Sequence, residues 1–464
     1  MAKELGLDSQ GVQKVMRKRD YLADGLGTVT LNSITALVGM ITYFYTEKVG
    51  VAAATAANVI LITKIVDAFT DLIMGRILDR TNTKYGKARP WFLRMILPTL
   101  VAIIALFTVP QGLGDGLQFL YLLVTNLFAS AVVYTAIAIP YNALMVYRTY
   151  SAEERSVMGV VRAGFGYFVG MVGAIFLIPL SNMLGGDQAA WVKLAAIFGV
   201  ISSISLWVLF KFTRELNVET TEQAEKEKLP FGEVMGKLFK NKYWVILLFL
   251  SLFANISFGL AGGSGAYYAK YILGNEEIVS LLGLAGLIPS LLGFLIIPTL
   301  VKKFGLSKSI LFALSIGIVV SIIRVFYPSS YEMTFVGAFL GTFATIPLMA
   351  LMGPLLAMAI DYNEYLYGIK ITGMASSANS FGSKVGSGIG ASIVGWCLAV
   401  GAYDAGLAVQ LDSAIQAIYA FSIYIPLILL VAMFILTLMI KPLESEYPTI
   451  LQEISNRNQG EENE

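Results

Sequence analysis

The chain has 464 residues, with 33 Lys and Arg against 31 Asp and Glu, a net charge of +2 and a mean hydropathy of +0.72. Hydrophobic residues make up 56% and charged ones only 14%, a balance that excludes an ordinary soluble domain. Histidine is absent and Cys397 is the single cysteine, so imidazole catalysis, histidine metal ligation, imidazole proton relays and an intramolecular disulfide are excluded.

The first 20 residues are polar and basic (Arg17, Lys18, Arg19) and lack the apolar core of a secretory signal. They are expected to form a cytoplasmic segment, 1–24. Twelve apolar runs follow, each near the ~20 residues a membrane span needs: 25–46, 52–77, 92–110, 117–147, 157–182, 188–213, 243–270, 278–300, 308–327, 332–360, 374–400 and 412–441. Six lie in an N-terminal bundle, 25–213, and six in a C-terminal bundle, 243–441. The charged, amphipathic stretch 214–242 between them predicts a cytoplasmic linker with a short helix on the membrane surface. The polar tail, 442–464, is expected to be mobile and outside the chemistry. Cys397, beside Trp396, is read as a packed residue within a span.

Basic residues orient these elements. With both termini cytoplasmic, the inside segments hold 26 Lys and Arg and the opposite side holds four (Lys48, Lys193, Lys270, Arg324). That asymmetry predicts a multi-pass cell-membrane protein by the positive-inside rule. Lys84-Tyr85-Gly86 after the second run is echoed by Lys303-Phe304-Gly305 after the eighth. The echo suggests two related halves, with a site between them near the midplane.

Within the spans, polar residues are few and therefore informative. In the second, Lys64, Asp67 and Asp71 fall on one helical face. A carboxylate costs ~2.5 kcal/mol or more at a bilayer centre and usually lines a cavity. Two on one face make an oxygen-rich pocket suited to Na⁺ or a proton; a Lys64–Asp67 pair would account for only one of them. The first span carries a stripe of Thr28, Asn32, Thr35 and Thr42, able to hydrogen-bond either sugar hydroxyls or neighbouring helices. The eleventh carries Ser376, Ser380, Lys384 and Ser387. Lys384 is ~15 Å deep at ~1.5 Å per residue, beyond comfortable snorkelling. Arg162, one turn into the fifth span, is read as snorkelling, and Asp24 as interfacial.

The segment Asp67 to Gly75, with Asp79-Arg80-Thr81 and Tyr85 to Trp91, resembles the signature of the glycoside–pentoside–hexuronide:cation symporters, a melibiose permease-like family. A second resemblance covers Asp361-Tyr362-Asn363-Glu364-Tyr365, Gly368, Lys370, Gly373 and Ser380 to Ser387. Tyr45-Thr46, Ile139-Pro140-Tyr141, Tyr267-Tyr268 and Gly274-Asn275 add to it. The likeness implies an all-α polytopic major facilitator fold, with 12 transmembrane helices in two six-helix bundles working by alternating access. It assigns Asp67, Asp71 and Thr135 to the cation, with Thr70 in place of a family asparagine. Tyr134, Asn142, Arg162 and Lys384 match sugar positions, joined by Thr28, Asn32 and Ser380 from the stripes. Lys64, Lys384, Asp79, Arg80, Arg89, Asp361 and Glu364 are expected to couple or gate the sites, the stretch from Asp79 to Arg89 as a cytoplasmic latch of salt bridges and Asp361 with Glu364 at a loop.

The sequence departs from the family at Ala138, where a galactoside-binding carboxylate would stand, and between Val29 and Ser33, which holds no acid. Three intramembrane cations (Lys64, Arg162, Lys384) then face two carboxylates, which favours an acidic sugar such as a hexuronide. The expected partners are a sugar, a monovalent cation and membrane lipids, without nucleic acid. No resident cofactor or metal is expected beyond transported Na⁺ or H⁺. The alternatives are a sugar exchanger or lysolipid carrier of the same fold. A membrane-embedded enzyme is disfavoured, because the chain has no histidine and no second carboxylate cluster within a span.

Overall fold

Apolar segments of this length can satisfy their backbone groups in a bilayer only as helices or a closed barrel, and this chain uses helices. The computed structural model describes residues 6–7, 13–112, 114–149, 151–215, 231–368, 372–407 and 409–461. At some helical positions, Asp79 and 372–380 among them, only the backbone is described. Among the described residues there are helices and two isolated bridges but no strand. The chain divides into two compact units, Met1–Ala224 with Asp404–Ala408, and Glu225–Tyr403 with Val409–Glu464.

The first unit holds α1 (Lys18–Gly39, continuing as Ile41–Val49), α2 (Ala53–Arg80), α3 (Ile96–Phe107, entered through Arg89–Arg94), α4 (Asp115–Asn126, then a π-helical stretch Leu127–Tyr134, then Thr135–Arg148), α5 (Ala152–Met183) and α6 (Gln188–Phe212). Helix α1 packs chiefly on α5 and α6, and α2 on α4. The second unit holds α7 (Phe231–Lys240), α8 (Lys242–Tyr271), α9 (Ile278–Phe304), α10 (Leu306–Phe326), α11 (Tyr331–Tyr367), α12 (Thr372–Val400) and α13 (Asp412–Tyr419, a π stretch Ala420–Tyr424, then Ile425–Glu461). Among the described residues, eight helices are long and apolar enough to span a bilayer. Two more qualify as pairs bent by 41°, at Gly39–Ile41 and at Gly173–Ile175. Outside these ten lie α2, which carries Lys64, Asp67 and Asp71, and α3, whose apolar part is only Ile96–Phe107.

The tail departs from expectation. Helix α13 runs on to Glu461, because Leu443, Tyr447, Ile450 and Ile454 recur at helical spacing and face the core of their unit. The apolar stripe outweighs the polar composition that suggested mobility. Asp361 and Glu364 likewise fall within the last turns of α11 rather than in a loop.

The Lys-aromatic-Gly echo has a structural counterpart. Glu215, three residues beyond α6, accepts hydrogen bonds from the backbone amides of Lys87 (2.7 Å), Ala88 (3.0 Å) and Arg89 (2.6 Å). Glu444, in the corresponding helix of the second unit, accepts from Leu306 (2.6 Å) and Ser307 (2.9 Å). Each carboxylate thus satisfies unpaired N–H groups at a helix start and complements its dipole. Gly86 (φ 103°) and Gly305 (φ 84°) are required there twice over: L side chains disfavour the backbone conformation, and a Cβ would run into the capping carboxylate.

Helices α8 and α12 form the closest packing of the second unit. A Cβ at Gly390 would strike the Ile256 carbonyl oxygen and lie 2.9 Å from the Leu260 amide nitrogen, both backbone atoms that cannot swing away. Gly390→Ala is expected to cost about 1–3 kcal/mol by overpacking, read as a lower unfolding temperature of the purified protein. Gly341→Ala, where a Cβ meets nothing within 4 Å, should leave it unchanged.

Candidate functional site

Two features of the first unit bring its polar groups together. Successive turns of α2 stack Asp67 and Asp71 on one face. Opposite them, the π-helical stretch of α4 ends where Thr135 begins; such widened turns are frequent at functional sites. Asp67 and Thr135 are each only 2% exposed, and Asp71 is half-buried. The Thr135 hydroxyl oxygen lies 3.0 Å from Asp67 Oδ1 and 3.1 Å from Asp71 Oδ1. A threonine has one O–H proton, so it can donate to only one of the two. The second oxygen then faces a lone pair, an arrangement stabilised when a proton or a cation joins the group.

Thr70 does not join this group: its hydroxyl donates to the Asp67 backbone carbonyl (3.0 Å). Lys64 is half-buried on the preceding turn of α2. Tyr134 is half-buried beside Thr135, with its hydroxyl bonded to Thr35. Thr28 meets Tyr141 hydroxyl to hydroxyl at 2.8 Å, and Asn32 donates to the Thr28 carbonyl at 3.0 Å. The polar stripe of α1 is therefore engaged in helix and interhelix bonding in this structure, while Asn142 is exposed.

Asp24 and Arg162 correct the expectation most. Asp24 is fully buried, not interfacial. Arg162 does not snorkel: its side chain is 11% exposed and it grips Asp24 through both Nε to Oδ2 (2.7 Å) and Nη2 to Oδ1 (3.0 Å). Its guanidinium also stacks on Tyr141, 3.8 Å from the ring centroid. Arg148, equally buried, lies 3.4 Å from Asp24 and 3.8 Å from Asp20. Burial forces this pairing, because an isolated charge removed from water costs several kcal/mol. Arg162 is therefore already neutralised, and the surplus of intramembrane cations that pointed to an acidic sugar disappears.

The expected gating residues have differing surroundings within their own units. Arg80 is exposed, and the side chain of Asp79 lies outside the described residues. Arg89 donates from Nε to the Phe210 carbonyl (2.7 Å) and stacks on the Phe210 ring. In the second unit, Asp361 accepts from the Tyr447 hydroxyl at 2.6 Å. Glu364 and Lys384 are half-buried on α11 and α12. Lys370 and the side chains of Ser376 and Ser380 lie outside the described residues.

Sequence reasoning passed over Arg148 and Tyr141 as partners of Asp24, and the capping carboxylates Glu154, Glu215 and Glu444. Glu154 is buried and accepts from the amides of Val15 (3.0 Å) and Met16 (2.8 Å), tying the entry to α1 to the start of α5. Asp20 and Asp24, one turn apart, were a legible signal; the caps depend on distant backbone and left none.

The chain is similar to known proteins over most of its length. The family described as MFS/sugar transport protein matches residues 24–444. The symporter YnaJ of Bacillus subtilis is 30% identical over 97% of both chains. The isoprimeverose transporter of Lactiplantibacillus pentosus is 29% identical, covering 83% of this chain and 80% of its own. The glucuronide carrier protein homolog of Escherichia coli is 26% identical over 95% of this chain and 96% of its own. Among solved structures, a bacterial homologue of the drug peptide transporters PepT1 and PepT2 superposes with a TM-score of 0.64 at 13% identity, covering 93% of this chain and 100% of that one. A bacterial homologue of the lysosomal transporter Spinster gives 0.63 at 13% identity, over 96% and 99%. These likenesses establish the major facilitator fold; the family and its structural neighbours are transporters, not enzymes.

Asp24→Asn removes the charge that holds two buried arginines. It is expected to cost about 3–5 kcal/mol and to lower the unfolding temperature of the purified protein markedly, whereas Arg80→Ala at an exposed position should leave it within error.

Proposed function

Because the chain belongs to the MFS/sugar transport protein family, a multi-pass membrane family, we propose that it is a secondary active symporter that carries a sugar together with Na⁺ or H⁺. The observation that carries this reading is the Thr135 hydroxyl set 3.0 and 3.1 Å from two carboxylates on a membrane helix. Carboxylates within a membrane-embedded helix usually line a cavity and mark an ion or substrate pathway.

The mechanism follows from electrostatics. Two ionised carboxylates around one hydroxyl oppose close packing of α2 on α4. A bound cation offsets their charge and lowers the cost of closing the unit around a sugar. If each ligand favours the closed arrangement, each strengthens the other's binding by the same factor, and a cation gradient drives sugar movement by alternating access. Thr28, Asn32, Tyr134 and Asn142 on α1 and α4 are the proposed sugar contacts in the first unit. Lys64 sits one turn from the carboxylate pair and is proposed to sense its charge. The proposed location is the cell membrane with both termini cytoplasmic, on the 26-to-4 bias of basic residues.

The substrate is proposed as a glycoside, pentoside or hexuronide without preference for an acid, since Asp24 already neutralises Arg162. Relatives named for isoprimeverose and for glucuronide transport support a sugar of either charge.

Uptake across a panel of such sugars into proteoliposomes, with Na⁺ and pH gradients imposed separately, tests the proposal. Asp67→Asn and Asp71→Asn are expected to abolish accumulation against a gradient while leaving expression and folding intact. Thr135→Ala should raise the cation concentration for half-maximal uptake about tenfold, the loss of one charge-assisted hydrogen bond. Accumulation at the wild-type level in both aspartate variants would refute the assignment.

A further inference from the structure

Threonines inside helices ordinarily return their hydroxyl to the carbonyl four residues earlier, as Thr46, Thr99, Thr125 and Thr437 do here. Thr63 does not. It is 2% exposed, and its hydroxyl oxygen has no hydrogen-bond partner. Buried polar groups are nearly always satisfied, so an orphan of this kind calls for a ligand or an explanation.

Its position supplies one. Thr63 lies four residues before Asp67 on α2, and helical side chains lean toward the N-terminus of their helix. The Asp67 carboxylate therefore lies over the Thr63 turn, just as that of Asp71 lies over the Asp67 turn. From α4, the Thr135 hydroxyl oxygen stands not only beside both carboxylates but also 3.5 Å from the Ser130 carbonyl oxygen, five residues back within the π-helical stretch. One hydroxyl proton thus faces three acceptor oxygens, with a fourth oxygen unspoken for one turn away.

We propose that the Thr63 hydroxyl is a further ligand of the coupling cation, and that with Asp67, Asp71, Thr135 and the Ser130 carbonyl it forms an all-oxygen site for Na⁺ rather than a proton-binding pair. This rests on the cation-coupled reading above. A proton is held by one carboxylate and one acceptor; neutral hydroxyl and carbonyl oxygens beyond those add nothing to its binding. A hard cation is held by the number of oxygens that converge on it. Thr63 and the Ser130 carbonyl are neutral oxygens of that kind.

The test is equilibrium binding of radioactive Na⁺ to the purified full-length protein, with no sugar present. Wild type should bind Na⁺ saturably and Asp67→Asn should not. Thr63→Val, which keeps the shape and removes the hydroxyl, should raise the half-saturating Na⁺ concentration about tenfold, and Thr63→Ser should restore it. Sugar half-saturation at saturating Na⁺ should stay at the wild-type value in both, which a merely structural defect would not allow. Thr63→Ala serves as the second hydroxyl-less variant should the valine form misfold. Unchanged Na⁺ binding in folded Thr63→Val or Thr63→Ala overturns the ligand assignment. A wild type that binds no Na⁺ but accumulates sugar on a proton gradient lost in Asp67→Asn overturns the Na⁺ site and leaves the symport reading standing. Uptake driven by neither gradient removes that reading itself.

Discussion

Thr135 carries a single hydroxyl proton between two carboxylate oxygens at 3.0 and 3.1 Å, and the packing of the first unit holds these three groups together. Asp67 and Asp71 come from one face of α2, so they cannot move apart without unwinding the helix. Thr135 is placed by the widened turn that precedes it in α4.

Elsewhere in the same unit a second acid is held by buried arginines. Asp24 is satisfied in full by Arg162 and Arg148, with Tyr141 stacked against one guanidinium and bonded to the Asp24 carbonyl. Two acid clusters thus lie within one bundle: Asp24 and Asp20 against Arg162 and Arg148, joining α1, α4 and α5, and Asp67 with Asp71 around Thr135, joining α2 and α4. The first removes the argument for an acidic substrate, since that argument counted Arg162 as a free charge.

The helical architecture and the carboxylate pair were legible in the sequence because both rest on local pattern. Apolar runs of span length have few structural options, and Asp67, Asp71 and Lys64 announce a common face through spacing alone. The partner of Arg162 was not legible. Its one-turn depth suited snorkelling, and only tertiary packing shows that Asp24, more than a hundred residues away in sequence, is within reach. The tail was misjudged because its composition is polar, although Leu443, Tyr447, Ile450 and Ile454 carried a helical period that composition conceals. The orphaned hydroxyl of Thr63 leaves no trace in sequence, since a threonine in a helix normally satisfies itself.

The two capping carboxylates bear on the order in which the protein is made. Glu215 closes on amides 126 to 128 residues earlier, and Glu444 on amides 137 to 138 residues earlier. During synthesis, therefore, the turn after α2 waits for the segment beyond α6 to emerge, and the turn after α9 waits for Glu444 within α13. Each cap can close only once the last helix of its own unit has been made that far. The first is free to finish before the second has begun, which lets a hydrophobic chain of this length assemble as two smaller problems in succession.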